Sequence, residues 1–160
     1  MKETIVKVAD WAAERGDGVL VTLGLGSCVA IMLHDPQVNA GAMAHVLLPS
    51  KSLAHDATNL AKFPETAVPM LIERLKGLGA DPRRLVAKLA GGASMFTQLM
   101  TPGTIQMGER NIVASRQALR TASIPILRES VGGERGRTVR FHVKDVRVEV
   151  RSVGADATVI

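Results

Sequence analysis

The sequence predicts an α+β domain with a strand-rich core and helices laid on its faces. Three observations support this class: many short aliphatic runs separated by turn residues, two longer segments with helical periodicity, and a composition of 46% hydrophobic and 22% charged residues. We expect one domain over residues 1–151, followed by a loosely held C-terminal tail over 152–160. Because only 2% of residues are aromatic, aliphatic side chains and methionine must fill the core.

Strands are predicted from short runs of β-branched or aliphatic residues bounded by glycine, proline or polar residues. These runs cover residues 5–8, 19–23, 29–33, 41–48, 85–89, 124–127, 138–143 and 146–150. The run 29–33 is apolar throughout, which is typical of a strand buried on both faces. The last three strands are expected to close the domain as a meander.

Two helices are predicted from apolar residues at helical spacing. The first begins at Pro64 or Glu65 and ends near Gly77 and Gly79. Its apolar face consists of Val68, Leu71, Ile72, Leu75 and Leu78. The second helix spans residues 111–121. Its inward face consists of Ile112, Ala118 and Leu119.

The single cysteine, Cys28, follows a glycine-punctuated turn over residues 23–27 and directly precedes the apolar run. Glycines let the backbone approach a bound group closely, and the amides of such a turn can point at developing negative charge. A lone cysteine is usually an inert buried residue, but this setting favours a nucleophile. Gly26 and Ser27 are then candidates for the site that holds an oxyanion.

His45 is the candidate partner of this thiol. It lies in the returning strand 41–48, and pairing of that strand with 29–33 would bring His45 near Cys28. A slip of one residue in register would turn its side chain to the opposite face, so the spacing permits the pair without proving it. An imidazolium in this position stabilises a thiolate by its charge and then protonates a departing nitrogen.

Five segments resemble the CheD family, the chemoreceptor glutamine deamidases of bacterial and archaeal chemotaxis. They are 22–29, 41–45, Ala90-Gly91-Gly92-Ala93-Ser94-Met95-Phe96, Gly108-Glu109-Arg110-Asn111, and Val131-Gly132-Gly133 with Arg137. These segments run in family order from about residue 5 to residue 151, so the resemblance covers nearly the whole chain.

The resemblance implies a layered α/β sandwich related to toxin-type cysteine deamidases. It also implies conversion of receptor glutamines to glutamate, with release of ammonia, through a thioester on Cys28. The same thioester chemistry accepts a methyl ester, so methylesterase activity on receptors is an expected side function. The residue that orients His45 is Thr22 by resemblance, through its hydroxyl or its carbonyl. Ser27, Asp35 and Asp56 remain rivals for that role.

The same resemblance supplies candidates for the substrate cleft. Gly91 and Gly92 either shape the cleft or allow close packing of the backbone. Ser94 and Asn111 are expected to offer hydrogen bonds to a glutamine amide. Two protein partners are implied: the cytoplasmic helices of chemoreceptors and a CheC-type phosphatase. Docking of that phosphatase is an alternative main task, in which the chain acts as a binding module.

Composition and charge limit the kinds of partner, metal site and compartment that this chain can have. The net charge is +5, of which residues 101–160 carry +4, a surplus that suits an acidic protein surface. Nucleic acid is a poor fit because the chain has no Tyr and few other aromatic residues for base stacking. One cysteine and scattered histidines make neither a metal site nor a disulfide, so the cytoplasm is the expected compartment.

No cofactor and no membrane insertion are expected. The segment 24–26 lacks both the third glycine and the following helix of a dinucleotide-binding motif. No stretch approaches the roughly 18 apolar residues of a membrane span.

Overall fold

Two β-sheets packed face to face form the core of the computed structural model, which describes residues 2–94 and 106–160. In chain order the strands are β1 (Glu3–Ile5), β2 (Trp11–Arg15), β3 (Val19–Leu25), β4 (Val29–Asp35), β5 (Ala40–Val46), β6 (Val86–Gly91), β7 (Ile126–Val131), β8 (Arg137–His142), β9 (Val148–Ser152) and β10 (Ala157–Val159). The α-helices are α1 (Pro64–Gly77) and α2 (Met107–Thr121), and 3-10 turns cover Lys51–Leu53, Leu60–Lys62 and Pro82–Arg84. No helix in these two described ranges is long and apolar enough to cross a lipid bilayer.

The sheet with the strand order β2-β5-β4-β6-β7, here called the central sheet, lies between the helices and the other sheet. The other sheet, with the order β1-β3-β8-β9-β10, is called the outer sheet. Val29, Ile31 and Leu33 of β4 pack with the helices, whereas Ala30 and Met32 pack against the outer sheet. Both faces of β4 are therefore buried, as its continuous apolar sequence predicts.

The layered α+β class is confirmed, with one change in the position of the helices. Both helices cover the same face of the central sheet instead of separate faces of the core. Their buried residues share one cluster with β4 and β5: Ala67, Val68, Leu71 and Leu75 from α1, and Ile112 and Leu119 from α2. The opposite face of the central sheet is already covered by the outer sheet, so it has no apolar surface left for a helix.

The predicted closing meander is wrong. Strand β7 joins the central sheet parallel to β6, whereas β8 and β9 pair antiparallel in the outer sheet. Helix α2 lies between β6 and β7 in the chain, and a strand–helix–strand connection of this kind places its two strands parallel in one sheet. The sequence does not predict β2 either, because residues 11–15 include no β-branched residue and do not alternate between apolar and polar.

The domain boundary at residue 151 and the loosely held tail stay predictions. Within that tail, β10 pairs antiparallel with β9. The nearly buried Lys88 of β6 donates from Nζ to the carbonyl oxygens of Val146, at 2.9 Å, and Ile160, at 2.5 Å. The second of these hydrogen bonds connects Ile160 to the central sheet.

Close packing of the two sheets depends on Gly41 of β5. A Cβ at this position would lie 2.9 Å from Phe141 Cζ and 3.1 Å from Val143 Cγ2 in the facing layer. Gly41→Val is expected to lower the free energy of unfolding by about 1–3 kcal/mol, because the added methyl groups overpack the space between the sheets. Urea-induced unfolding followed by circular dichroism measures the change.

The matched control is Gly77→Ala at the end of α1. A Cβ there meets nothing within 4 Å, so unchanged or slightly higher stability is expected. Equal unfolding midpoints for Gly41→Val and the wild type would contradict the proposed packing constraint.

Candidate active site

The Cys28 loop, residues 26–28, is the segment in which the chain passes from β3 of the outer sheet to β4 of the central sheet. Just before it, the pairing of β3 with β8 is interrupted between Thr22 and Leu25. Gly24 lies in this interruption with a φ of +63°, a conformation that favours glycine. Cys28 itself is 8% exposed and packs in the cluster between the two sheets.

The register of β4 with β5 places His45 on the same face of the central sheet as Cys28. Ala30 lies opposite His45, and Cys28 precedes Ala30 by two residues on that face. The imidazole and the thiol are therefore diagonal neighbours on adjacent strands, a relation that long side chains can bridge. The one-residue slip that would separate them does not occur.

Thr22 of β3 reaches His45 from the outer sheet. Its Oγ1 lies 2.7 Å from His45 Nδ1 and 2.6 Å from the carbonyl oxygen of Val6. A carbonyl only accepts and a hydroxyl has one proton, so Thr22 donates to Val6 and accepts from the Nδ1–H group. This arrangement selects the tautomer in which Nε2 is unprotonated.

The second imidazole nitrogen is left available for chemistry. His45 Nε2 is buried and has no hydrogen-bond partner among the residues that the structure describes. In the tautomer selected by Thr22 it holds a lone pair, so it can accept a proton. The role of Val6 was not predicted, because its contribution is a backbone carbonyl that no side-chain pattern reveals.

Burial determines the resting protonation of this pair. It raises the pKa of the Cys28 thiol above its usual range, an effect that the backbone amide of Cys28 partly offsets. Burial also lowers the pKa of His45 below its usual range. Both shifts favour the neutral forms, so the resting site contains a thiol and a neutral imidazole instead of an ion pair.

Gly91 and Gly92 hold the Cys28 loop through their backbone. Gly92 N–H donates to Cys28 O at 2.8 Å, and Ala93 N–H donates to Gly26 O at 2.9 Å. A Cβ on Gly91 would clash with Cys28 O, and one on Gly92 would clash with a side chain of α2. Both glycines also have positive φ angles, of 109° and 70°. These are the contacts of close backbone packing, one of the two roles considered for the pair.

Asn111, which was expected to contact substrate, lies instead beneath the Cys28 loop. It is fully buried, and its Nδ2 donates to the carbonyl oxygens of Ser27, at 2.9 Å, and Leu47, at 3.1 Å. Its amide protons are therefore used within the molecule. Because α2 packs on the central sheet, this side chain points into the core and braces the loop against the residue that follows β5.

None of the three rivals of Thr22 forms a hydrogen bond with His45 in the described part of the chain. Asp35 is at the opposite end of β4, where its Oδ2 is 2.9 Å from Arg84 Nη2. Asp56 is exposed and accepts hydrogen bonds from its own turn. Ser27 is half-buried in the Cys28 loop itself. Among the described residues, Thr22 is the one whose side chain contacts the imidazole.

Ser94 and a surface cavity lie near the Cys28 loop. Ser94 is half-buried, and its N–H donates to Gly133 O at 2.8 Å, whereas residues 95–96 lie outside the described residues. A surface cavity of about 620 Å³ is lined by Gly24 and Gly26 of the loop region, together with residues 136–138 and 151–156. A substrate segment that binds there would lie next to the Cys28 loop.

The described part of the chain offers no metal site, and some of its basic side chains are already paired. Within residues 2–94 and 106–160, no group of three or more His, Cys, Asp and Glu side chains is close enough to hold a metal ion. Several arginines of the basic C-terminal part are bound internally: Arg116 lies 2.8 Å from Glu129, and Arg140 lies 2.6 Å from Glu3. Fewer cations are therefore free to meet an acidic partner than the sequence suggests.

Comparison with known proteins finds relatives that match almost the whole chain. The family model described as CheD chemotactic sensory transduction matches residues 47–152. A protein from Caldanaerobacter subterraneus subsp. tengcongensis, named a probable chemoreceptor glutamine deamidase CheD, is 40% identical over 156 residues, which are 96% of each chain. The chemoreceptor glutamine deamidase CheD of Thermotoga maritima is 41% identical over 150 residues, which are 94% of this chain and 92% of that protein.

A similar fold occurs in a crystal structure of Neisseria meningitidis protein NMB0706, of the DUF152 family. It matches with a TM-score of 0.54 and 11% identity over 84% of this chain and 65% of that chain. At this identity the likeness concerns the fold alone. The predicted similarity to toxin-type cysteine deamidases stays a prediction.

The bracing role of Asn111 can be tested by truncation. Asn111→Ala leaves the carbonyl oxygens of Ser27 and Leu47 without their donor, so the free energy of unfolding is expected to fall by about 1–3 kcal/mol. Cys28 is also expected to react faster with iodoacetamide, because the loop that buries it is less firmly held. Gln117→Ala, on the exposed side of the same helix, should change stability by no more than about 0.5 kcal/mol. Equal effects of the two substitutions would refute the brace.

Proposed function

This chain belongs to the CheD family, and on that premise we propose that it is a chemoreceptor glutamine deamidase that uses Cys28 as its nucleophile. The family supports the reaction, because the two relatives described above are named for it. The observation that carries the mechanism is the Thr22–His45 contact on the sheet face that also bears the only thiol of the chain. Nucleophile, base and orienting group are the parts that such a reaction needs.

In the first stage the thiol attacks the side-chain amide of a receptor glutamine. His45 Nε2 takes the Sγ proton as sulfur bonds to the amide carbon, and the carbonyl oxygen becomes an oxyanion. The protonated imidazole then gives its proton to the amide nitrogen, which leaves as ammonia. The product of this stage is a γ-glutamyl thioester on Cys28, and His45 is neutral again.

In the second stage water replaces sulfur. Nε2 removes a proton from the water as it attacks the thioester carbon, and the tetrahedral intermediate expels the Cys28 thiolate. That thiolate recovers a proton from the imidazolium, so both groups return to their resting forms. The receptor residue has become glutamate.

The neutral resting pair explains why Thr22 matters in this mechanism. Charge separates only when the thiol attacks, and the Thr22 hydroxyl accepts from the imidazolium at that moment. A hydrogen bond to a charged group contributes about 1.5–3 kcal/mol. The imidazole is also held in one tautomer throughout the cycle, so no ring rotation is needed between the two stages.

We assign the oxyanion contacts to backbone N–H groups of residues 26–28. The nearby N–H groups of Gly92 and Ala93 are already bonded to carbonyl oxygens of the loop, so they are not available. The role of Gly91 and Gly92 in this proposal is to hold the loop in place, and Ser94 remains a candidate contact for substrate. Removal of one oxyanion donor typically costs about 10²–10³ in rate.

The cytoplasmic helices of chemoreceptors are the proposed substrates, and the cytoplasm is the proposed site of action. A methyl ester of a receptor glutamate would give the same thioester with methanol as the leaving group, so we propose methylesterase activity as a side reaction. A CheC-type phosphatase is a second proposed partner. Leu23, which is 57% exposed beside the Cys28 loop, offers such a partner an apolar contact next to the site.

Cys28→Ala is expected to abolish deamidation, because it removes the nucleophile while leaving the loop backbone unchanged. Purified receptor cytoplasmic fragment is incubated with each protein, and mass spectrometry measures conversion of amide to acid at each glutamine. Unfolding midpoints of the variant and the wild type should agree closely, since one sulfur atom is lost. Conversion at the wild-type rate by Cys28→Ala would disprove the assignment.

Thr22→Val tests the orienting hydroxyl. Loss of the hydrogen bond to the imidazolium is expected to lower kcat about 10- to 100-fold, the equivalent of about 1.5–3 kcal/mol. Thr22→Ser keeps the hydroxyl and should retain most of the activity.

The pH profile gives a second measurement of the same pair. Since burial lowers the pKa of His45, its neutral form persists to below the ordinary value of about 6.5. Activity of the wild type should therefore fall only as pH drops below that value. Thr22→Val should move this acidic limb to still lower pH, because it removes an acceptor that favours the imidazolium. Identical profiles for Thr22→Val and Thr22→Ser would contradict a role for the hydroxyl.

A further inference from the structure

Arg137, the first residue of β8, makes a set of contacts that the mechanism above does not use. Its Nη1 donates to the carbonyl oxygen of Gly91 at 2.8 Å, and its Nη2 donates to the carbonyl oxygen of Gly132 at 2.6 Å. One planar guanidinium thus joins the end of β6 to the residue that follows β7. Arg137 also pairs with Leu25 of β3, immediately before the Cys28 loop.

No carboxylate of the described residues forms an ion pair with Arg137, and burial lowers the pKa of its guanidinium. A partly buried cation without a carboxylate costs stability, so its retention calls for a compensating contact. That contact is the pair of backbone carbonyls, each bound by its own N–H group of a planar fork whose fixed geometry an ammonium does not reproduce.

The carbonyl of Gly91 belongs to the same peptide unit as the N–H group of Gly92. On one side of this unit the oxygen accepts from Arg137 and from Gly132 N–H, at 3.0 Å. On the other side Gly92 N–H donates to Cys28 O at 2.8 Å. A hydrogen-bonded chain therefore runs from the guanidinium through one peptide group to the backbone of Cys28. Bonds in such a chain polarise and strengthen one another.

We propose that Arg137 is a positioning residue for deamidation, because it clamps the Gly91–Gly92 peptide that holds the backbone of Cys28. This proposal rests on the proposed function only where kcat and KM for deamidation are measured. Displacement of this peptide would shift Cys28 against His45, and misplacement of reacting groups by about 1 Å can cost about 10²-fold in rate. Arg137 also lines the cavity beside the loop, so direct binding of substrate is the competing explanation.

The test compares three substitutions. Arg137→Ala removes the clamp, and Arg137→Lys keeps the charge but loses the planar fork. Arg135→Ala is the matched control, because it removes the same charge from an exposed residue two positions away. For each protein, kcat and KM are measured on a receptor fragment, and unfolding in urea gives the stability.

We expect Arg137→Ala to lower kcat about 10²-fold with KM within about twofold, and Arg137→Lys to lose about tenfold. Arg135→Ala should leave kcat unchanged. Methylguanidinium added at millimolar concentration should restore part of the activity of Arg137→Ala, while methylammonium at the same concentration should not. A defect confined to KM would overturn the proposal and indicate that Arg137 binds substrate. An unchanged kcat in Arg137→Lys would also overturn it, because the planar fork would then not be needed. If Arg137→Ala does not fold, Arg137→Lys decides alone.

A readout without receptor separates this inference from the proposed function. The rate of Cys28 alkylation by iodoacetamide is followed against pH in the same proteins. Arg137→Ala should change the alkylation rate at least threefold and methylguanidinium should reverse the change, whereas Arg135→Ala should match the wild type. Loss of this effect would refute the clamp even if deamidation is observed. Its presence would support the clamp even if no receptor glutamine is converted.

Discussion

The pairing of β4 with β5 on one side and β6 on the other brings the residues of the candidate site together. Val29, the first residue of β4, lies between Val46 and Gly91. The Cys28 loop, the end of β5 that bears His45 and the glycine pair that ends β6 therefore meet at one end of the central sheet. The outer sheet adds Thr22 across the interface. A shift of β4 by one residue would exchange the residues on its two buried faces, whose packing partners differ, and this packing keeps these groups aligned.

The hairpin of β4 and β5 could be predicted because its signal is local: an apolar run, a turn and a second run. The place of β7 in the central sheet could not be predicted, because nothing local in residues 126–131 indicates which of the two sheets they join. That choice depends on α2, which leads the chain back to the central sheet. Strand β2 escapes prediction for a related reason, since it is formed by pairing with β5 and not by its own propensity.

In the candidate site, too, local signals could be predicted and long-range packing could not. The spacing of Cys28 and His45 permits them to lie close together, and family resemblance suggests Thr22 as the partner of His45. The structure shows that the Thr22 hydroxyl makes this contact, and the catalytic roles stay predictions. The role of Asn111 could not be predicted from its residue type. A polar side chain near a site suggests a contact with substrate, but its direction depends on how the helix that carries it packs. Contacts with backbone atoms, such as the carbonyl of Val6, cannot be predicted from residue type, because every residue has this group.

Burial of Cys28 has a consequence for the resistance of its sulfur to oxidation. Peroxides and disulfides react with thiolates, and a thiol whose pKa is raised by desolvation is mostly protonated at neutral pH. A protonated Cys28 thiol reacts more slowly with oxidants than a thiolate would. With no second cysteine in the chain, an oxidised sulfur would have no internal thiol to resolve it. Shielding by the fold replaces the chemical repair that a resolving cysteine provides in redox-active proteins.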